Sequence, residues 1–162
     1  MPVDVQVIGA EDFQRFSRVM KRASPELRKE MFKALRTEVT KPILDAMRSA
    51  ARGGNGRLGA AAAMATRQVV KDSGRGDQAG VRVTMVRSRM AARIPGQNSD
   101  ELGWHLDEGS WRHPVYGNRH AWVAQGSSIS GWFSDTADRM APKAVEEIDR
   151  VLGEFAERLA AM

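Results

Sequence analysis

Alternating apolar and polar residues open the chain. Val3, Val5 and Val7 lie on one side of the alternation, and Asp4 and Gln6 lie on the other. A period of two is typical of a strand that buries one face. The pattern therefore predicts a short strand in PVDVQVIG.

Two helical patterns follow this strand. AEDFQRFSRVMKRAS predicts a first helix, because its apolar residues recur at helical spacing. Ser24-Pro25-Glu26 predicts the start of a second, since a hydroxyl N-cap, a proline in the first turn and an acid favour that position. The apolar stripe of the second helix continues to Ala50, and the glycines of RGGNGR end it. Pro42 lies inside this stripe and predicts a kink or a division of the helix.

The middle of the chain predicts a small antiparallel sheet. Residues 67–71 and the alternation in GVRVTMVR predict two strands of a hairpin, joined around Gly74–Gly80. LGAAAAMA, which precedes them, is compatible with a short helix. MAARIPGQNSDELG predicts a loop that runs into a short helix or turn, and HAWVAQ predicts a further strand.

The last segment predicts a long amphipathic helix, because its apolar residues keep to one face. Pro142 predicts the start of this helix, and Asp135 and Asp138 suit the turns before it. For the structural core we expect six large apolar residues of the C-terminal half: Trp122, Trp132, Phe133, Ile148, Leu152 and Phe155.

These elements together predict an α+β fold with N-terminal helices, a small antiparallel sheet and a long C-terminal amphipathic helix. A length of 162 residues favours a single domain over residues 1–162. Within it we expect a mainly helical part at 1–57, sheet and loops at 58–126, and the C-terminal helix at 130–162.

Charge is divided unevenly along the chain, whose net charge is +5. Residues 1–93 contain 19 Lys/Arg and 9 Asp/Glu, a net +10, whereas residues 94–162 contain 6 and 11, a net −5. A basic half is compatible with nucleic-acid binding. It is equally compatible with a head-to-tail contact between the basic surface of one subunit and the acidic surface of the next, or with two solvated faces.

Composition excludes several classes of site. The chain has no cysteine, so disulfides and thiolate metal sites are excluded. The apolar run at the N-terminus is too short and too acidic for a signal peptide. The alanine-rich stretch is far shorter than the roughly 20 residues that a membrane-spanning helix needs. We therefore expect a soluble protein.

The histidines raise the question of a metal or nuclease site. His105, His113 and His120 are spaced eight and seven residues apart, whereas zinc-binding pairs usually lie three to five apart or on one helix face. HPVYGNRH resembles part of a His-Asn-His nuclease motif, but no histidine follows it in the C-terminal helix. Histidines that bond to backbone or contact a partner fit this spacing better, and we expect no metal and no cofactor.

Other candidate chemistry is weak. The adjacent carboxylates Asp100-Glu101 and Asp107-Glu108 point different ways and have no predicted opposing group. GGNGRLG lacks the Lys-Ser/Thr of a phosphate-binding loop and predicts a hinge or hairpin after a helix. The serines at 127, 128 and 130 lack a nucleophile elbow. We therefore expect no catalytic residues and no enzymatic activity.

Four arginines lie along and just after the second strand of the predicted hairpin: Arg82, Arg87, Arg89 and Arg93. Aromatic residues are not interleaved with them, so a stacking platform for single strands is not indicated. Contacts to phosphates without sequence reading remain open.

Several short motifs occur in a recognisable order along the chain. They are Gly56-Arg57-Leu58 after the long helix, then His113-Pro114, Tyr116-Gly117, Trp122 and Gly131-Trp132-Phe133. Together with the order of the predicted elements, these residues resemble the neck (head–tail connector, or tail-completion) family of long-tailed double-stranded DNA phages. The resemblance covers roughly Phe13 to Leu159, and the chain departs from the family in its arginine-rich segment Ser88–Asp100.

The resemblance implies a non-enzymatic virion protein that forms a homo-oligomeric ring around the DNA path at the head–tail junction, assembled in the host cytoplasm. Implied partners are other neck or connector proteins and the tail terminator or tail tube, with possible contact to the passing double-stranded DNA and none to a membrane. A tail terminator that caps the tube is a neighbouring alternative. A basic DNA-binding protein and a metal hydrolase at the three histidines are alternatives from other classes.

The block from Gly109 to Gly126 holds the rarest side chains of the chain, and aromatic residues and arginine are the usual interface anchors. We expect the following residues at subunit or partner interfaces, the four arginines included: Trp111, Arg112, His113, Tyr116, Arg82, Arg87, Arg89 and Arg93.

Overall fold

The computed structural model describes residues 4–7, 23–71, 80–94, 100–115 and 118–162. The predicted N-terminal helix at residues 10–24, the turn around Gly74–Gly80 and Tyr116 lie outside the described residues or almost wholly so. Within them the fold mixes helices with small antiparallel sheets and ends in a long helix, as the apolar pattern predicts.

The helices and strands follow in this order: β1 (Asp4–Val7), α1 (Pro25–Ala34), a π-helical segment (Leu35–Thr40), α2 (Lys41–Arg52), α3 (Gly56–Ala65), β2 (Thr66–Lys71), β3 (Gly80–Met85), α4 (Arg87–Ala91), α5 (Leu102–Glu108), β4 (Ser110–Val115), β5 (Asn118–Gly126) and α6 (Ser134–Ala160).

The chain divides into two compact units. We call one the hairpin unit, which comprises Ala46–Arg67 and Met85–Ala137. The other is the helical unit, which comprises Asp4–Asp45, Gln68–Thr84 and Asp138–Met162.

The start of α1 and the passage past Pro42 follow from local chemistry. Ser24 caps α1 as predicted, and its hydroxyl accepts a hydrogen bond from the backbone N–H of Leu27 at 3.2 Å. Pro42 does not end the helical run. Proline lacks an N–H and crowds the carbonyl four residues back, and the wider π-helical turns immediately before Lys41 accommodate it.

The helical unit contains a three-stranded sheet in the order β1-β3-β2. β1 pairs antiparallel with β3, with Val5 opposite Val83 and Val7 opposite Val81. β3 alternates buried and half-buried residues, as its sequence predicts. The sequence pattern also predicted β2 beside β3, but it did not indicate that β1 joins the same sheet.

The helical unit buries the apolar stripes of α1 and α6. Glu38 on the π-helical segment pairs with Arg150 on α6, and Glu30 on α1 pairs with Arg158 at 2.7 Å. The Arg150 guanidinium donates hydrogen bonds to the carboxylates of Glu147, Glu38 and Glu154, and these bonds raise its pKa above its ordinary value.

The C-terminal helix lies within the expected region 130–162, but it does not begin at the proline. α6 starts at Ser134 and continues through Pro142, so the prediction of a start at Pro142 is wrong. The N-terminus of α6 is fixed by contacts of the hairpin unit, described below. These contacts outweigh the loss of one intrahelical hydrogen bond at the proline.

No helix among the described residues is long and apolar enough to cross a membrane.

Candidate interaction surface

Most of the block from Gly109 to Gly126 forms a β-hairpin. β4 and β5 pair antiparallel, with His113 opposite Val123 and Pro114 opposite Trp122. The pairing is irregular between Pro114 and Val115. Proline cannot donate a ladder hydrogen bond, so its place next to an irregularity in a two-stranded ribbon is consistent with its chemistry. The sequence predicted the strand over HAWVAQ, which lies within β5, but it did not indicate β4.

Both faces of this hairpin reach solvent. Trp122 is 49% exposed and Val123 is 44% exposed. Successive residues of a strand point to opposite faces, so each face carries one large exposed apolar side chain. Two strands alone are marginal in water, and an exposed apolar ribbon is typical of a surface that a partner covers.

The prediction that Trp122 belongs to the core is therefore wrong. The alternation that would bury one side of β5 is absent, because Trp122 and Val123 are consecutive apolar residues. The other core predictions divide in two. Trp132, Phe133, Ile148 and Phe155 are buried, whereas Leu152 is only half-buried.

The root of the hairpin is closed by backbone hydrogen bonds. Gly109 ends α5 with φ of 94°, a left-handed conformation that favours glycine, and its carbonyl accepts from the N–H of Ser127 at 2.7 Å. The carbonyl of Asp107 accepts from the N–H of Gly131 at 2.8 Å. The chain enters and leaves the hairpin at one fixed point.

The side chain of Asp107 ties the same point to the C-terminal helix. Its carboxylate is buried and accepts from the backbone N–H groups of Phe133 at 2.7 Å and Ser134 at 3.2 Å. The first N–H groups of a helix have no intrahelical acceptor, and a carboxylate there also suits the helix dipole. Asp107 therefore acts as a remote cap for α6.

Two buried aromatic residues, Trp132 and Phe133, pack at the base of the hairpin next to this cap. The indole Nε1–H of Trp132 donates to the carbonyl of Gly103 at 3.3 Å, and its ring meets that of Phe133 edge to face at 5.4 Å. Both residues are almost fully buried. The hairpin therefore extends from a packed and hydrogen-bonded base.

A further set of hydrogen bonds, which we call the clasp, joins the base of the hairpin to the turn between α2 and α3. The Oδ1 of Asn55 accepts from the N–H and the hydroxyl of Ser128 at 2.6 and 2.7 Å, and the Ser128 hydroxyl accepts from the N–H of Asn55 at 3.0 Å. Ser128 follows β5 by two residues, so this exchange fixes the outgoing strand. The glycine-rich segment that was expected to be a hinge is thus an anchor.

The expected interface residues of the block lie on β4. The indole of Trp111 stacks on the ring of His105 at 6.3 Å between centroids, which leaves Trp111 half-buried. Arg112 is exposed. His113 is half-buried, with its Nδ1 3.1 Å from the carbonyl oxygen of Pro114. Tyr116 lies outside the described residues.

The four expected arginines do not form one row along a strand. Arg82 is on β3 in the helical unit, whereas Arg87 is on α4, Arg89 follows it there, and Arg93 comes after α4 in the hairpin unit. Arg87 is neutralised, because it pairs with Asp100 at 2.7 Å and Glu101 at 3.1 Å. Arg89 and Arg93 are exposed.

The histidines are separated by their elements. His105 lies on α5, 3.6 Å from the carboxylate of Glu108, while His113 and His120 lie on β4 and β5. Within the part of the chain that the structure describes, no group of three metal-ligating side chains is close enough to hold an ion.

No family model, curated protein or solved structure matches this chain.

Two residues that fix the hairpin, Asn55 and Asp107, were not predicted from the sequence. Asn55-Gly56 is a pair that favours left-handed backbone, and Asn55 has φ of 55°. Asp107 precedes a helix-terminating glycine, but its bonds to Phe133 and Ser134 span 26 and 27 residues. No local pattern indicates a cap at such a distance.

Proposed function

We propose that this chain is a non-enzymatic structural protein of a phage virion, a neck or tail-completion subunit that forms a homo-oligomeric ring at the head–tail junction. The observation that carries the proposal is the β4–β5 hairpin, which is exposed on both faces and extends from a rigid base. The sequence block that carries the resemblance to the neck family, Arg112 to Phe133, contains most of this hairpin and its base.

The hairpin suits assembly better than catalysis. It contains no acidic residue and no lysine between Gly109 and Gly126, so Arg112 and Arg119 are its only charged residues of the kind that protects strand edges from pairing. Its exposed aromatic and aliphatic side chains suit insertion beside a neighbour or addition of a strand. A ring of such subunits covers these surfaces and explains why they stay apolar.

The proposed partners are other copies of this chain, the adjoining connector protein and the tail terminator or tube. The protein assembles in the host cytoplasm and resides in the virion. A tail terminator uses the same kind of subunit contacts and is the neighbouring alternative. For the DNA-binding alternative, the neutralised Arg87 lowers the positive charge next to the arginine-rich segment, although Arg89 and Arg93 within that segment remain exposed.

The test is the assembly state of the purified chain. We expect mass photometry to show a discrete oligomer whose population rises with protein concentration, and negative-stain micrographs to show rings without added DNA. Binding of a fluorescent 30-base-pair duplex is measured in parallel at 50 and 200 mM salt. A chain that stays monomeric yet binds the duplex with steep salt dependence contradicts the ring and favours the DNA-binding class.

A further inference from the structure

A cleft of about 310 Å³ on the helical unit combines basic and apolar side chains. Lys29 and Arg36 are exposed at its border and form no ion pair with another described residue. Phe32 is half-buried and contributes an aromatic surface. The described residues that line this basic cleft include no carboxylate; they are Pro25, Arg28, Lys29, Phe32, Arg36 and Val70.

Two of the three acids on the same helical run are bound elsewhere and do not cancel the positive charge of the cleft. Glu30 and Glu38 bind Arg158 and Arg150 of α6, whereas Glu26 is exposed in the first turn of α1. Glu30 and Glu38 are therefore committed within the unit, whereas the two exposed cations of the cleft have no ion pair with another described residue. A cleft with exposed cations and an apolar lining fits an acidic surface that also offers an aliphatic side chain.

The helical unit itself carries such a surface on α6. We call it the acidic ridge, and it lies on the side of α6 opposite the buried stripe of Ala144, Ile148, Val151 and Phe155. Its carboxylates are exposed and have no ion-pair partner among the described residues; they are Asp138, Glu146, Asp149 and Glu157. Between them Val145 is 37% exposed. Arg139 and Lys143 are also exposed between Asp138 and Glu146, so the ridge is acidic in net charge and not free of cations.

We propose that the basic cleft of one copy receives the acidic ridge of a second copy, in a head-to-tail contact. The proposal rests on the ring proposed above, since that ring requires a repeated contact between unlike surfaces. Because the cleft and the ridge are different surfaces, each copy uses one of each, and the contact propagates until the ring closes. In this contact, basic residues from the first half of one chain face acidic residues from the second half of the neighbouring copy.

Charge reversal tests this contact on the full-length chain. Lys29→Glu with Arg36→Glu makes the cleft acidic, and Glu146→Lys with Asp149→Lys makes the ridge basic. Either double variant alone places like charges at the contact, so we expect the concentration at half-assembly to rise by at least about tenfold. Arg52→Glu with Arg57→Glu, a pair of exposed arginines in the hairpin unit, changes the net charge by the same amount as the cleft variant and is its matched control.

An equimolar mixture of the two variants is the decisive arm. The acidic cleft of one variant matches the basic ridge of the other, and the remaining cleft and ridge keep their native signs. We expect the mixture to regain assembly, which also shows that both variants are folded. Circular dichroism of each variant alone provides a second check of folding.

The outcomes separate this contact from the ring itself. If both double variants form rings at the same concentration as the wild type, the cleft–ridge contact is wrong, but the proposed ring is not contradicted. A wild-type chain that never assembles overturns the ring as well. If the acidic-cleft variant loses binding to the 30-base-pair duplex but assembles normally, the cleft is a DNA site and the proposal is wrong.

Discussion

The Oδ1 atom of Asp107 accepts a hydrogen bond from the backbone N–H of Phe133 at 2.7 Å. Asp107 lies on the helix before the β4–β5 hairpin, and Phe133 comes just before the helix that follows it. This bond therefore closes the segment that carries the hairpin. The position of the candidate interaction surface depends on a side chain that is not part of it.

Asp107→Ala should destabilise the protein by about 1–3 kcal/mol, because it leaves buried N–H groups at the start of α6 without an acceptor. Urea denaturation followed by circular dichroism measures the loss. Glu108→Ala is the control, since Glu108 is exposed, and it should change the free energy of unfolding by less than about 0.5 kcal/mol. Equal effects of the two variants would contradict the role of Asp107 as a cap.

The sequence determined most of the elements because their signals are local. The cap at Ser24, the alternation in β3 and the glycines after α2 each depend on a few neighbouring residues. The position of α6 could not be predicted in the same way. Its start depends on Asp107, which is 27 residues before Ser134, and that tertiary contact overrides the local preference of Pro142 for a first turn.

The candidate surface was predicted in part. Crowded aromatic residues indicated an interface between Gly109 and Gly126, and the structure places Arg112 of that group in an exposed position. Trp122 was assigned to the core on its size and apolar character alone. Those properties are shared by core and interface residues, so only the three-dimensional position distinguishes the exposed Trp122 from the buried Trp132.

Two tryptophans therefore give opposite predictions. Trp122→Ala should change the free energy of unfolding by about 1 kcal/mol or less, because about half of the side chain is already exposed to solvent on the ribbon. It should raise the concentration at half-assembly by at least about tenfold if the hairpin is an interface with a hot spot. Trp132→Ala should cost about 3–5 kcal/mol of stability, since it empties a buried site.

Thermal denaturation and mass photometry on both variants read the two properties separately. A Trp122→Ala chain that assembles like the wild type removes the hairpin from the ring interface. A Trp122→Ala chain as unstable as Trp132→Ala indicates that the side chain is covered within the subunit.

Two glycines in helices also differ in their expected response to alanine. A Cβ at Gly59 would overlap the carbonyl oxygens of Ala51 and Gly54, so Gly59→Ala should destabilise the protein by about 1–3 kcal/mol. A Cβ at Gly153 on α6 meets no atom, so Gly153→Ala should stabilise it by about 0.5–1 kcal/mol. Urea denaturation of both variants should give shifts of opposite sign, and a neutral Gly59→Ala would contradict the close approach of α3 to the preceding turn.

Two substitutions of Asn55 separate the contribution of its hydrogen bonds to Ser128 from that of its backbone conformation. Asn55→Gly keeps the left-handed backbone and loses the side-chain bonds to Ser128, so we expect a loss of about 1 kcal/mol. Asn55→Ala loses the same bonds but keeps a Cβ at positive φ without the polar side chain that lets asparagine adopt it, so it should cost about 1–2 kcal/mol more than Asn55→Gly. The difference between the two variants in urea denaturation isolates the backbone cost.

The same pair reports on the hairpin. Because Ser128 follows β5 directly, loss of the clasp should speed hydrogen–deuterium exchange of the β5 amides in both variants by a similar factor. The amides of α6 serve as the internal reference, since the cap at Asp107 is unchanged. Exchange that rises equally in β5 and α6 would mean that Asn55 stabilises the whole unit, and the base of the hairpin would then be no more dependent on the clasp than the rest of the fold.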